Sequence, residues 1–142
     1  MFHVTNTSAN INLSDVKLVN EDNNNVLISV CDDGWNGDKN IATLNTSSQI
    51  LSGVVLVGNN SSLTFNLTNG SSFDGYIDGK IVNASDETVS NEVGDVSITL
   101  DDSSKWTLTN DSYVSEFNGS AKNIIINGYK LYVNGIEYDE TK

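Results

Sequence analysis

The sequence predicts an all-β fold in which coils of chain stack in parallel, a right-handed parallel β-helix (β-solenoid). Three observations carry this expectation. A short pattern recurs three times, as Ala42–Ile50 (ATLNTSSQI), Phe65–Phe73 (FNLTNGSSF) and Ile98–Trp106 (ITLDDSSKW), at spacings of about 23 and then about 33 residues. Apolar and polar residues alternate with period two through most of the chain, with no convincing helical period. Asn-Gly and Asp-Gly steps punctuate the alternation, among them Asn69-Gly70, Asp78-Gly79, Asn127-Gly128 and Asn134-Gly135, and such residues accept the left-handed backbone of tight corners. A strand–turn–strand unit recurring at this length marks coils that bury their apolar edges on one another.

Overlaying the three copies predicts which side chains meet. Leu44, Leu67 and Leu100 fall at one position and form an inward aliphatic stack. Ser48, Ser71 and Ser104 share a second position. Ile50, Phe73 and Trp106 share a third, a second inward stack that makes Trp106 a core residue. Asn45, Thr68 and Asp101, and likewise Thr46, Asn69 and Asp102, form polar ladders at a corner. Parallel stacking sets such side chains about 4.8 Å apart, close enough for amides and hydroxyls to bond along a column.

The elements follow in order. Ala9–Leu13 alternates Ala, Ile and Leu with Asn, and Val16–Val19 is read as a second short strand. Val26–Cys31 is a nearly continuous apolar run. Asp32–Lys39 (DDGWNGDK) is a polar loop bulging from a corner. Ile41–Leu44, Gln49–Val57, Ser62–Leu67, Phe73–Asp78 and Lys80–Val82 are strands by their β-branched and aromatic content. Asn83–Glu92 (NASDETVSNE) is a second corner loop and accounts for the longer spacing before the third copy. Asp95–Leu100, Lys105–Leu108 and Tyr113–Phe117 resume the alternation. Lys122–Ile126 and Tyr129–Val133 are the last strands, and Asn123–Tyr138, dense in Ile and Tyr, is the C-terminal cap. The N-terminal segment has no comparable cap. The chain therefore reads as a single β-helix domain over 1–142, the C-terminal fragment of a longer array, or one whose open end meets another subunit.

Composition narrows the function. The chain has 21 Asn and 18 Ser but no Pro and no Arg, and hydrophobic residues make up 37%. That suits a thin core in which only the inward half of each strand is apolar. Nineteen acidic residues against seven Lys give a formal net charge of -12, which disfavours nucleic acid and anionic membrane surfaces as partners. No apolar run is long enough to be inserted in a membrane. Cys31 is the one cysteine, lies in an apolar strand and reads as a buried thiol; the one histidine, His3, lies near the terminus.

At these residues a family resemblance enters. Ser62–Ile77 (SLTFNLTNGSSFDGYI), Val96–Val114 (VSITLDDSSKWTLTNDSYV) and Asn127–Gly135 (NGYKLYVNG) resemble the C-terminal part of long secreted bacterial or archaeal β-helix proteins labelled adhesin-like. These are similar to a family of pectate-lyase-like β-helices that bind cellulose and pectic acid with calcium. The resemblance spans roughly Asn10–Gly135. It implies an extracellular location and no enzymatic activity, and it carries no ligand-specific motif.

The candidate site residues come from side-chain chemistry. Trp35, Tyr76 and Tyr113 are the aromatic candidates for sugar contact, Trp35 reading equally well as a cover for Cys31. If Val114 faces inward, Tyr113 faces outward. Asp32, Asp33 and Asp38 share a Gly-containing loop that could offer oxygens to calcium, the other reading being solvated acidic turns. Asp101 and Asp102 are the one carboxylate pair on a repeated corner, where other copies carry small polar residues, so hydrolysis is not expected. The expectation is a non-catalytic adhesin or carbohydrate-binding module on a microbial cell surface. It contacts a polysaccharide or cell-surface glycan through a shallow ladder face and corner loops. The alternative is a structural subunit that self-associates end to end into an extracellular filament or stalk.

Overall fold

The computed structural model describes residues 1–19, 25–32, 40–82 and 86–138. Its strands are β1 (Phe2–Val4), β2 (Thr7–Ser14), β3 (Val26–Val30), β4 (Asn40–Ser47), β5 (Ile50–Val57), β6 (Ser62–Thr68), β7 (Ser72–Asp78), β8 (Ile81–Val82), β9 (Thr88–Ser90) and β10 (Asp95–Leu100). They continue as β11 (Lys105–Leu108), β12 (Ser112–Val114), β13 (Glu116–Asn118), β14 (Ile124–Ile125), β15 (Leu131–Val133) and β16 (Ile136–Glu137), with one 3-10 turn at Ala121–Asn123.

The chain is all-β, and its two main sheets are parallel throughout. The first holds β1-β3-β5-β7-β11-β14 and the second β2-β4-β6-β10-β13. Each pass of the chain adds one strand to each sheet, in the same order. Strict inside–outside alternation follows from the pleat: β6 and β7 bury every second residue. Leu44, Leu63, Phe65, Leu67, Ile77, Ile98 and Leu108 from the two sheets meet in one apolar core. Phe73 packs against Phe65 at 5.2 Å and on Trp106 at 5.9 Å, the latter nearly face to face at 20°. The wholly buried Trp106 donates its indole N–H to Gly75 O at 3.0 Å. Gly75 leaves that carbonyl and ring room. A Cβ there would lie 1.9 Å from Gly53 O.

The register corrects part of the overlay. The second and third copies align as expected, Leu67 with Leu100 and Phe73 with Trp106. The first copy does not. Leu44 pairs with Phe65, and Leu67 pairs with Thr46, which is buried rather than part of a corner ladder. Ile50 pairs with Ser72 and is 80% exposed; Leu51 takes the place beside Phe73. Ser48 is exposed with φ of 52°, while the buried Gln49 lies beside Ser71 and takes its hydroxyl as acceptor at 3.1 Å. Asn45 joins Asn66 rather than Thr68. The reason lies in the corners. Leu44 and Leu51 pair with Phe65 and Phe73, so the first corner is one residue shorter than the second, whereas Phe65 and Phe73 pair with Ile98 and Trp106 at one common offset; a gap-free overlay therefore fits the second and third copies but not the first.

Other expectations also change. Val16–Val19 is not a strand; Gln49 holds it from the side, bonding both N–H and carbonyl of Val16 at 3.0 and 2.5 Å. Tyr113–Phe117 divides into β12 and β13 at Ser115. Lys122–Ile126 begins in the 3-10 turn, and its strand is only Ile124–Ile125. At the C-terminal end β12, β15 and β16 form a small sheet, with Asn134-Gly135, at φ of 52° and 79°, closing the antiparallel β15–β16 hairpin. Tyr138 packs edge-on against Phe117 at 5.6 Å over this end. At the other end β1 and β2 are the outermost strands of their sheets.

Candidate functional site

The outer face of the second sheet carries side chains in columns, because every strand pairs in register with the next. One column is Asn12, Asn45, Asn66, Thr99 and Asn118; its neighbour is Asn10, Thr43, Thr64, Ser97 and Glu116. On either side run Ser8, Ile41, Ser62 and Asp95, and Ser14, Ser47 and Thr68. Column members stand about 4.8 Å apart, and adjacent columns about 6.6–6.8 Å apart, two residues along a strand. Asn66 Nδ2 donates to Asn45 Oδ1 at 2.8 Å, and Asn45 Nδ2 donates to Asn12 Oδ1 at 2.9 Å. Each bond uses one N–H and one lone pair, leaving Asn45 a second N–H and further acceptor capacity directed off the sheet.

This face opens into a groove at the corner where the chain crosses from the first sheet to the second. The groove encloses about 710 Å³ and is lined by Asp32, Asn40, Asn59, Ser61, Ser62 and Asp95, among others. Ser62 and Asp95 belong to both surfaces. Of the two corner loops expected from sequence, near 32–39 and 83–92, residues 33–39 and 83–85 lie outside the described residues, and the second is not wholly loop: Thr88–Ser90 forms β9, paired antiparallel with β8. Asn40 is held from behind: its Oδ1 accepts the Asn6 N–H at 2.7 Å. Asp95 N–H donates to Ser61 O at 2.9 Å.

The opposite corner is a latch rather than a site. Asp101 accepts from the Asn69 N–H at 2.8 Å and from Ser103 and Ser104 through both hydroxyls. The Asn69 backbone donor, with those hydroxyls, holds its carboxyl down at about 2 against the opposing cost of burial. Its lone pairs are committed to the turn, and Asp102 beside it is exposed.

Tyr113 and Tyr132 form a third feature. They pair in register across β12 and β15 and stack at 5.2 Å with planes 8° apart. Val114 is buried and Tyr113 is 37% exposed, as the alternation predicts. Burial, then the charges of Asp111 and Asp78, push the Tyr113 phenol up. Tyr76 is half-buried on β7 beside Val54. Ser112 Oγ accepts the Ile77 N–H at 3.1 Å, so Tyr76 and Tyr113 lie on adjoining strands. Neither belongs to the columned face. Trp35, Asp33 and Asp38 lie outside the described residues. Asp32 is exposed at the groove. Among the described residues no group of three or more His, Cys, Asp or Glu is placed to hold a metal ion.

No family model, no curated protein and no solved structure matches this chain. The site is read from its own residues. No helix among the described residues is long and apolar enough to cross a membrane. Among the described residues the columned face carries no lysine, and its acids, Asp95 and Glu116, lie in β10 and β13. It presents neutral donors and acceptors on a repeating lattice. Sequence reasoning missed Asn12, Asn66, Thr43 and Thr64 as surface groups; the signal was Asn and Thr at every second place in consecutive strands.

Proposed function

We propose that this chain is a right-handed parallel β-helix acting as a non-catalytic carbohydrate-binding or adhesin module on a microbial cell surface. The supporting observation is the columned amide and hydroxyl face running into the polar corner groove. Such a surface has many weak hydrogen-bonding groups and no deep enclosure, so it suits a long polymer held by repeated contacts. Its lack of cations argues for a neutral polysaccharide over an anionic one, since the chain carries a net charge of -12. Right-handed crossovers follow from the handedness of parallel strand connections, and the strand alternation between two parallel sheets supports the solenoid reading.

A glycan array that includes insoluble neutral and uronic-acid polysaccharides, run with calcium and again after chelation, tests the reading. Retention on neutral polymers is expected. Absence of binding to every plant, host and microbial polysaccharide overturns it.

A further inference from the structure

The amide ladder on the columned face stops at Asn66, in the middle of the sheet. Asn66 Nδ2 donates to Asn45 Oδ1 at 2.8 Å, so the planar amide turns Asn66 Oδ1 the other way, towards β10. Its register partner there is Thr99, a hydroxyl where the earlier strands carry an amide. Among the described residues neither Asn66 Oδ1 nor Thr99 Oγ1 makes a hydrogen bond. In the neighbouring column Thr64 stands opposite Ser97, and their hydroxyls likewise make none among the described residues. Four outward side chains therefore mark a rectangle, about 4.8 Å across the strands and about 6.6–6.8 Å along them.

The strand pairs on either side differ. From β2 to β4 and from β4 to β6 the Asn column is closed by the two bonds of Asn45. From β10 to β13 the register sets Glu116 opposite Ser97, so a carboxylate replaces a neutral group. Among the described residues, β6–β10 is where both columns are open and neutral. Asp95 and Glu116 flank the opening and repel an anionic unit. The distances then select a chemical group. Hydroxyl–oxygen bonds are about 2.7–2.8 Å long, so one hydroxyl oxygen seated midway reaches two partners about 4.8 Å apart. Asn66 Oδ1 can accept but not donate, so the guest must donate to it, while Thr99 O–H donates to the guest. A hydroxyl does both with one atom; an ether or ester oxygen cannot donate. A sugar hydroxyl also reproduces the bonds of the water it displaces.

We propose that Asn66 with Thr99, and Thr64 with Ser97, form an anchoring subsite for two free hydroxyls of a neutral polysaccharide that lies along β6 and β10. The proposal rests on the reading of the columned face as a polysaccharide-binding surface. It adds that recognition is centred on this strand pair and requires hydroxyl donors on the polymer. Each column seats one hydroxyl between its two side chains. The ladder acts as the positioning device: Asn45 holds the Asn66 amide so that its oxygen faces the gap.

Retention of the purified chain on insoluble neutral mannan, xylan and glucan, each native and O-methylated, provides the test. Retention on a native polymer is expected to fall about 25-fold on its O-methylated form, about fivefold for each of the two donated bonds lost. Equal retention on both forms overturns the subsite and leaves the polysaccharide reading standing. No retention on any native polymer removes both. Thr99→Val keeps the side-chain shape and deletes the hydroxyl, and should weaken retention about fivefold. Thr43→Val, on the same face but in β4, should stay within about twofold of the unmodified chain. Equal losses for the two variants place the contact elsewhere on the face and overturn the subsite. Far-ultraviolet circular dichroism checks that each variant is folded. Should Thr99→Val fail to fold, Ser97→Ala decides: about a fivefold loss is expected, and unchanged retention overturns the proposal.

Discussion

The side-chain amide of Asn66 donates to that of Asn45 at 2.8 Å, and Asn45 passes the pattern on to Asn12 at 2.9 Å. The ladder aligns polar groups that would otherwise rotate freely, so it prepares the face before any ligand arrives. Replacing Asn45 with Ala removes two such bonds from a half-exposed position. The expected cost is about 1 kcal/mol in chemical denaturation, with a larger proportional loss in retention on the polysaccharide that the unmodified chain binds. Unchanged retention would remove the ladder from the binding surface.

Gly75 sets the tolerance of the core. An Ala there must displace the Gly53 carbonyl and the Phe73 ring, since its Cβ would approach them to 1.9 and 2.5 Å. Gly75→Ala is expected to destabilise the fold by about 3 kcal/mol. Trp106→Phe keeps an aromatic ring beside Phe73 but removes one of two donors to the Gly75 carbonyl, which retains the Thr109 N–H at 3.3 Å, at a cost of about 1 kcal/mol for the lost bond. Thermal or urea unfolding measures both.

Asn123 ties the last pass to the one before it. Its Nδ2 lies 3.0 Å from Asp102 O and 2.7 Å from Ser104 O, and the residue is buried. Asn123→Ala should cost about 2 kcal/mol. It should also raise amide exchange first in Ile124 and Ile125, which pair with Trp106 and Thr107.

Asp101 sets an acid limit. Its folded-state carboxyl is lowered to about 2 by the Asn69 and Ser103 backbone donors and the Ser103 and Ser104 hydroxyls. The unfolded group titrates near 3.9. A depressed folded value adds stability above the unfolded value, and that stability is lost as pH falls towards about 2. Unfolding free energy should fall between pH 4 and pH 2, and Asp101→Asn should flatten that part of the profile. A profile unaltered by the substitution would show that the turn does not depend on the charge.

Much of the fold was legible because period-two alternation is a strong signal. The strands expected from Gln49 to Leu108 sit within a residue or two of their expected ends, whereas β9 (Thr88–Ser90) falls in the stretch read as a polar loop, because its short Thr-Val-Ser run lies among Asp, Glu and Asn. The second and third copies align correctly because their strands share one offset on both sides of the corner. The first copy misled because its corner is shorter. A two-residue slip kept Leu44 inward but gave it the wrong neighbour, whereas a one-residue slip turned Ile50 outward. Val16–Val19 looked like a strand on local propensity alone, without a neighbour to pair with. The functional face was harder to see. Tyr and Trp attracted attention as single residues, while the columns exist only once the register is known.

The central claim is the parallel register that builds these columns. Backbone nuclear Overhauser effects in an isotope-labelled sample test it most directly. The account predicts cross-strand contacts linking Thr43 with Thr64 and Asn45 with Asn66, running in the same chain direction. Contacts of antiparallel pattern, or of Leu44 with Leu67 in place of Phe65, would contradict it.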